Sequence, residues 1–442
     1  MIQRNFWRNV LPSVIAFAFS GVYSIVDGMF VGQGVGDAGL AAINVAWPVT
    51  ALVQALGTGL GMAAAVVLSV CIGRRDAAEE HRALGSTAVL LLLAGVLSTA
   101  LLALLYRPLL PLLGAEGSVL AYADSYTRVI VLGSLFQVLG TGLVPLLRTY
   151  DGADAAMCSM TAGFLTNVVL DALFISVFRW GTAGAAAATV IAQGVSAAGI
   201  ALYGWRRVPL LRLERRHCKV SRGELGRIMN YSLLTCVQQS VMNFGILMVQ
   251  GLVNSFGVNV MAAFAAAVKI DAFAYLPVQD LGNAFSTFVA QNTGAQKAER
   301  IRKGIRSALW VSVGFCLVSS LLVCLFAAPL MGLFVEPGET EIIAVGVEYL
   351  RIEGMCYCGI GILFLLYGLF RGLGRPGVSV VLTVVSLGTR VALAYLLAPI
   401  PAVGLKGIWW AVPIGWVLAD LAGLVLYRRK PLPAETACAP EG

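Results

Sequence analysis

Two aspartates stand inside apolar runs of this 442-residue chain, each with polar neighbours at helical spacing. Asp27 follows Tyr23 by one helical turn and Ser20 by two, so Ser20, Tyr23, Ser24 and Asp27 draw one polar stripe along an apolar segment. Asp171 follows Asn167 at i, i+4, and both share a face with Gly163. Thr189, Gln193 and Ser196 form a third stripe. An ionisable group at the centre of a lipid-spanning helix costs about 2.5–3.5 kcal/mol on insertion scales, so each one is a candidate functional group. Two carboxylates, an amide and a hydroxyl are hard oxygen ligands, suited to a proton or Na⁺ rather than to a soft metal. If Asp27 and Asp171 come together, their repulsion is relieved by a proton, or by a Na⁺ that Asn167 and Thr189 also ligate. The plainer alternative is hydrogen bonding between helices by the same groups.

Other chemistry has thin support. The chain has nine cysteines, and Cys356 and Cys358 are the closest pair, but no second pair or histidine cluster completes a metal site. His81 and His217 are the only histidines, both in charged stretches, so neither zinc chemistry nor a His-based catalytic triad has a basis, and no organic cofactor is expected. Lys269 and Asp271 are two apart and do not face each other. Arg351 reads as a helix-surface partner of Glu348 or Glu353. Gln238, Gln239 and Asn243, with Met242 and Met248, would offer polar groups beside soft, adaptable contact area, a lining that suits bulky lipophilic cations better than sugars. Pro12 precedes Asp27 by fifteen residues and marks either a bend or the first turn of its helix.

The elements that must position these groups are membrane spans. Only 12% of the chain is charged and 59% is hydrophobic, whereas a soluble chain is about a quarter charged. Twelve apolar segments can be drawn: 10–31, 42–70, 84–105, 124–147, 155–177, 182–203, 228–253, 261–291, 305–328, 344–370, 377–398 and 404–427. Most are close to the roughly 20 residues a span requires. The second, eighth and tenth are longer, so they tilt or project into water. The first is too long for a signal peptide, despite Ala16 and Ala18 as a weak cleavage motif, and reads as a retained anchor. With the N-terminus inside, the inside segments carry 24 Lys and Arg and the outside loops only Arg107, Arg179 and Lys406. That bias puts both termini in the cytoplasm, and the expected location is the cell inner membrane. The net charge of +8 is then a topology signal, and the basic stretch 206–227 a linker near anionic lipid rather than a nucleic-acid site.

The linker also divides the chain into 1–205 with six helices, 228–427 with six more, and a tail, 428–442. Shifting the first half by 221 residues puts Gly36 on Gly257, Leu40-Ala41-Ala42 on Met261-Ala262-Ala263, Gly73 on Gly294 and Pro108-Leu109 on Pro329-Leu330. After a two-residue slip, Arg148 falls on Arg371 and Gly184 on Gly407. Six helices per half make the repeats parallel. The expected fold is therefore an all-α integral membrane protein: twelve transmembrane helices in two pseudo-symmetric six-helix bundles around a central cavity that opens alternately inward and outward. With both bundles in one chain, a monomer is expected. The same register supplies a control. The second-half equivalents of Asp27, Asn167, Asp171 and Thr189 are Met248, Arg390, Ala394 and Val412, so this oxygen set is one-sided.

These residues resemble the multidrug and toxic compound extrusion (MATE) family, and within it the DinF-type branch. The resemblance covers nearly the whole chain and is most specific at Pro12 with Tyr23, Asp27, Val31 and Gly32, at Asn167 and Asp171, and at Thr189 eighteen residues later. It implies a cation-coupling site at Asp27, Asn167, Asp171 and Thr189, taking H⁺ or Na⁺, and a bend at Pro12 linked to the protonation of the Asp27 position. It also implies V-shaped lobes, alternating access and export of organic, lipophilic cationic compounds. Tyr23, Gln193, Gln239, Asn243, Met248 and Arg390 are candidates to line the substrate cavity. Another bacterial branch places a carboxylate in the seventh span, where this chain has Gln238, Gln239 and Ser240, so a Na⁺ site in the second lobe is not implied. A lipid-linked oligosaccharide flippase of the same superfamily would need a cationic cavity, for which Arg390, Lys269 and Arg351 are candidates and against which the aspartates argue. A membrane-embedded enzyme would need a nucleophile with a base, which two loop histidines and solitary cysteines do not supply. The expected partners are small organic cations and membrane lipid.

Overall fold

The computed structural model describes residues 30–31, 33–207, 222–334 and 338–429. Among the described residues, residues 30–31 and 33–35 are helical and twelve longer α-helices follow in order: α1 Asp37–Arg74, α2 Ala77–Leu112, α3 Gly117–Thr149, α4 Ala153–Asp171, α5 Gly181–Arg207, α6 Arg222–Asn254, α7 Val258–Gly294, α8 Ala298–Met331, α9 Thr340–Met355, α10 Tyr357–Gly372, α11 Pro376–Leu397 and α12 Gly404–Arg429. A π-helix, Ala172–Val177, continues α4. Among the described residues, ten helices are long and apolar enough to cross a membrane, and α9 with α10 makes an eleventh span bent by 53°. The first expected span, 10–31, lies outside the described residues except for its last two.

Span lengths depart from expectation. The second and eighth expected spans are long, as α1 and α7 with 38 and 37 residues, but α2 reaches 36 and α8 reaches 34. A 36-residue helix is about 54 Å long against about 30 Å of hydrocarbon, so it carries turns beyond the bilayer. In α2 those turns hold Glu79 and Glu80, which favour a helix N-terminus electrostatically, behind Asp76, whose side chain caps the Glu79 amide at 2.9 Å. Apolarity alone underestimates such ends. The tenth expected span is long because it is two 16-residue helices meeting at Cys356.

The backbone carries the repeat. Left-handed residues recur at the offset read from the sequence: Gly36 (φ 84°) with Gly257 (105°) and Arg75 (59°) with Gln296 (54°), then, after the slip, Asp151 (58°) with Gly374 (78°) and Gly181 (62°) with Gly404 (46°). A non-glycine side chain in this region costs about 1–2 kcal/mol, so the turn geometry is imposed by what the helices on either side must do.

The chain packs as two compact units, one of described residues up to Leu68 with Asp76–Cys236, the other of Ser69–Arg75 with residues from Val237 on. Unit boundaries thus fall inside α1, in the turn that follows it, and inside α6. In the first unit α3 packs on α5, α4 on α5 and α2 on α3. In the second, α7 packs on α10, α11 on α12, and α9 on both α7 and α8. Large apolar side chains point outward, as on α2, where Leu97 and Leu104 are 67% and 78% exposed. Helices without a hydrophobic drive to associate in lipid meet through small residues instead. Gly163 of α4 lies against Ala192 of α5, where an added Cβ would sit 2.9 Å from the Ala192 carbonyl oxygen. At the repeat-related contact the glycine has changed sides: Gly415 of α12 lies against the carbonyl of Ser386 in α11. Within the second unit, Gly73 backs onto the Gln291 carbonyl and Gly294 onto that of Val70, a contact that the 221-residue shift maps onto itself.

Arg371 sits apart from the basic loop residues with which the topology count groups it. It is buried in α10, where Nε donates to the Tyr367 carbonyl at 3.2 Å and Nη2 to Asn283 Oδ1 at 3.0 Å. The charge bias is large enough to survive its removal.

Candidate functional site

In the first unit the Gly163 contact lets α4 approach α5 closely, and one turn further along the same face stands Asn167, then Asp171. Asn167 is 1% and Asp171 0% exposed. With its amide nitrogen towards Asp171, Asn167 donates to Asp171 Oδ2 at 2.7 Å and accepts from the Thr189 backbone N–H at 3.1 Å. Turning the amide over would leave its nitrogen 3.4 Å from Thr189 Oγ1 but facing the Thr189 N–H, donor against donor, so the first orientation is the one that fits. The Thr189 hydroxyl donates to the Ala185 carbonyl at 3.0 Å, which leaves its lone pairs facing the amide. The structure therefore brings Asn167, Asp171 and Thr189 together. Gln193 follows one turn along α5, half-buried.

Asp171 is also the last α-helical residue before the π-helix Ala172–Val177, a local widening that in other proteins marks functional sites. Phe174, Phe178 and Trp180 stack at its end, with Phe174 and Trp180 centroids 4.7 Å apart. No periodicity in the sequence announces this segment. Its only local signal is an acid followed by an aromatic-rich stretch and Gly181, whose φ of 62° closes the turn. Asp27, Tyr23 and Pro12 lie outside the described residues.

Gln239, Asn243 and Met248 are half-buried on α6, and Arg390 is half-buried on α11, all within the second unit. There Arg390 joins groups whose association sequence reasoning missed. Asp271 of α7 is 8% exposed and has the Tyr357 hydroxyl, the Glu353 carboxyl and the Arg390 guanidinium as electrostatic neighbours. Glu353, 1% exposed, accepts from the Tyr349 hydroxyl at 2.8 Å. Glu353 and Tyr357 flank the bend between α9 and α10, at the end of one helix and the start of the next. Trp409 closes the cluster, edge-on to Tyr349 at 4.9 Å and stacked on Phe264 at 5.6 Å. Asp271 Oδ1, Glu353 Oε1, Tyr357 Oη, Arg390 Nε and Trp409 Nε1 are all buried without a hydrogen-bond partner.

This corrects the expected surface pairing of Arg351. Glu353 shares a face with Tyr349 at i, i+4 and turns inward, while Arg351, two residues away and about 200° around the helix, is exposed. Glu348 instead meets Lys406 at 2.9 Å. Lys269 is exposed where Asp271 is buried, so the two do point apart. The one-sidedness of the oxygen set holds at the mapped positions but not for the unit, which has its own buried acid pair. The signal was present in Tyr349, Glu353 and Gly354 ahead of an apolar run, but only the bend turns it into a site. Among the described residues, no group of three His, Cys, Asp or Glu stands close enough to hold a metal ion.

The MatE family model matches the chain twice, over residues 12–173 and 234–396. The "Probable multidrug resistance protein YpnP" of Bacillus subtilis (strain 168) is 26% identical over 428 residues, covering 95% of this chain and 93% of its own. The "FAD transporter" of Shewanella oneidensis is 27% identical over 451 residues, covering 97% and 95%. Two solved structures, one of MATE in complex with MaL6 and one of the outward-facing conformation of a multidrug resistance MATE family transporter, are each 25% identical and cover 96% of this chain and 95% of their own, with TM-scores of 0.91 and 0.90. Two matched halves at the repeat offset, spans bearing buried acids and a fold shared over nearly the whole length lead to one assignment: this chain belongs to the MatE family of multi-pass membrane transporters.

Proposed function

We propose that this protein is a multidrug exporter that expels organic, lipophilic cations in exchange for H⁺ or Na⁺ bound at Asp171, with Asn167, Thr189 and Asp27 as partners. The observation that carries the reading is Asp171 itself, a carboxyl group of 0% exposure on a membrane-spanning helix, with an amide donor at 2.7 Å. A charge at such a position is expensive unless it is compensated. A small cation that binds there better in one conformation than in another shifts the balance between them by that difference in affinity, and only by that.

Asn167 supplies Asp171 with a hydrogen-bond donor. With its nitrogen towards the acid it donates to a carboxylate, and its oxygen accepts from the Thr189 N–H. Turned over, it would set its nitrogen against that N–H, donor against donor. The amide thus serves the carboxylate form, whose charge a bound cation offsets. Gln193, Gln239, Asn243 and Met248, with Tyr23, are the candidates for substrate contact. In this reading lobes 1–205 and 228–427, joined by the basic linker 206–227, alternate access within a single chain, with both termini cytoplasmic in the inner membrane.

Kinship with a protein named for multidrug resistance supports a drug-like cargo. Kinship with an FAD transporter supports a second reading, a flavin dinucleotide as cargo. The test is export of a cationic dye from vesicles under separate pH and Na⁺ gradients, comparing wild type with Asp27→Asn and Asp171→Asn. Gradient-driven export should vanish in both variants while the protein stays folded. Unchanged export in both would remove the site from the mechanism. Competition of dye export by added FAD would favour the second cargo.

A further inference from the structure

The second unit holds a buried acid pair that the proposed exchange site does not use. We propose that Arg390 is a resident counter-cation: it performs permanently, beside Asp271 and Glu353, the charge compensation that an exchangeable ion performs beside Asp171, and so confines ion exchange to the first unit. The proposal rests on reading Asp171 as an exchange site.

Three observations carry it. Arg390 stands at the repeat position of Asn167, and Ala394, fully buried, at that of Asp171. Where α4 pairs a neutral amide with an acid one turn along the same helix, α11 sets a guanidinium within electrostatic reach of acids on α7 and α9 without forming a close ion pair. The acids also lie beside a broken span, and discontinuous helices in transporters are where ions and substrates bind. Finally, Asp271 Oδ1, Glu353 Oε1 and Tyr357 Oη are buried oxygens with no hydrogen-bond partner, and Asp271, Glu353 and Tyr357 are each more than nine-tenths buried. Without the guanidinium these oxygens make a hard-ligand set of the kind that takes Na⁺.

Arginine suits the role because its guanidinium stays charged in proteins and cannot leave. One guanidinium and one proton shared by the two neighbouring carboxyl groups leave the cluster neutral, since acids in contact do not both ionise. The tyrosines strengthen this arrangement. Tyr349 holds Glu353, Tyr357 faces Asp271, and Tyr275 lies near both Asp271 and Arg390.

The test is binding of radioactive Na⁺ to the purified full chain carrying Asp171→Asn, which silences the first unit whichever ion it uses. That chain should bind no Na⁺ saturably. Adding Arg390→Gln should create one bound Na⁺ per chain, and adding Glu353→Gln should abolish it. Arg390→Lys should bind none. Thermal unfolding in Na⁺ against choline gives a second readout: Na⁺ should raise the unfolding temperature of the Arg390→Gln chain and leave that of the Arg390→Lys chain unchanged. Na⁺ binding in the chain that retains Arg390, lost with Glu353→Gln, would overturn the proposal. So would an Arg390→Gln chain that gains neither binding nor Na⁺-dependent stability while the Arg390→Gln, Glu353→Gln chain folds. Failure of the Asp171 reading appears separately, as unimpaired transport by Asp171→Asn.

Discussion

Two units built on one repeat treat buried charge in opposite ways. In the first, Asp171 meets a neutral amide from its own helix, which the next helix holds through the Thr189 N–H. In the second, Asp271 and Glu353 lie at the edge of a broken span among three tyrosines, with a guanidinium within electrostatic reach. The scaffold is common to both, even to the close helix contact that uses Gly163 in one half and Gly415 in the other. The partner of the acid differs. On the proposed reading, a neutral amide leaves the charge of Asp171 for a bound ion to offset, whereas a covalently attached cation leaves little for solution to supply. On that proposal, which half exchanges an ion comes down to one position, Asn167 against Arg390.

The sharpest way to break this comparison is Asp171→Asn, which should reduce ion-driven export in vesicles to background, while Asp271→Asn should retain ion coupling in whatever fraction folds. Equal loss of coupling per folded molecule in both would make the two units equivalent. Next in size, Arg390→Met leaves two buried acids without their cation and should cost about 3–5 kcal/mol, read as a lower midpoint of denaturant unfolding in lipid discs at low Na⁺. Much of that loss should return in Arg390→Met with Glu353→Gln, because the orphaned charge is then gone. Gly163→Val should cost about 1–3 kcal/mol by forcing α4 off the Ala192 carbonyl, and should weaken ion coupling by separating Asn167 from Thr189. Ser386→Gly, on the side of the related contact that already tolerates a side chain, should leave coupling unchanged in the same vesicle assay. Thr189→Ala should have the smallest effect, about 0.5–1.5 kcal/mol in ion affinity from one lost hydroxyl, with Thr189→Ser near wild type in a titration of export against the driving ion.

Much of the fold was legible because its causes are local. A run of apolar residues long enough to cross lipid forms a helix of that length wherever it lies. Asn167, Asp171 and Gly163 were legible as a unit for the same reason, since i, i+4 spacing places them on one face in any helix. The π-helix after Asp171 was not, because a widened turn depends on what packs against it, here the aromatic stack of Phe174, Phe178 and Trp180. Arg371 read as a loop cation because it follows an apolar run, yet Asn283 and the Tyr367 carbonyl hold it inside. Glu353 read as a surface residue because Arg351 stands two positions away, and only its partner Tyr349 and the bend at Cys356 reveal the inward face.

By itself the sequence determined which segments enter lipid, that the chain repeats itself, and which polar groups share a helical face, because each follows from the regular geometry of one helix. Only the tertiary structure decided which faces meet. Asp271, Glu353 and Arg390 come from three helices far apart in the chain, and no spacing rule links them. Their meeting depends on crossing angles, on glycine contacts that bring backbones close, and on one bend, and these arise when helices choose neighbours.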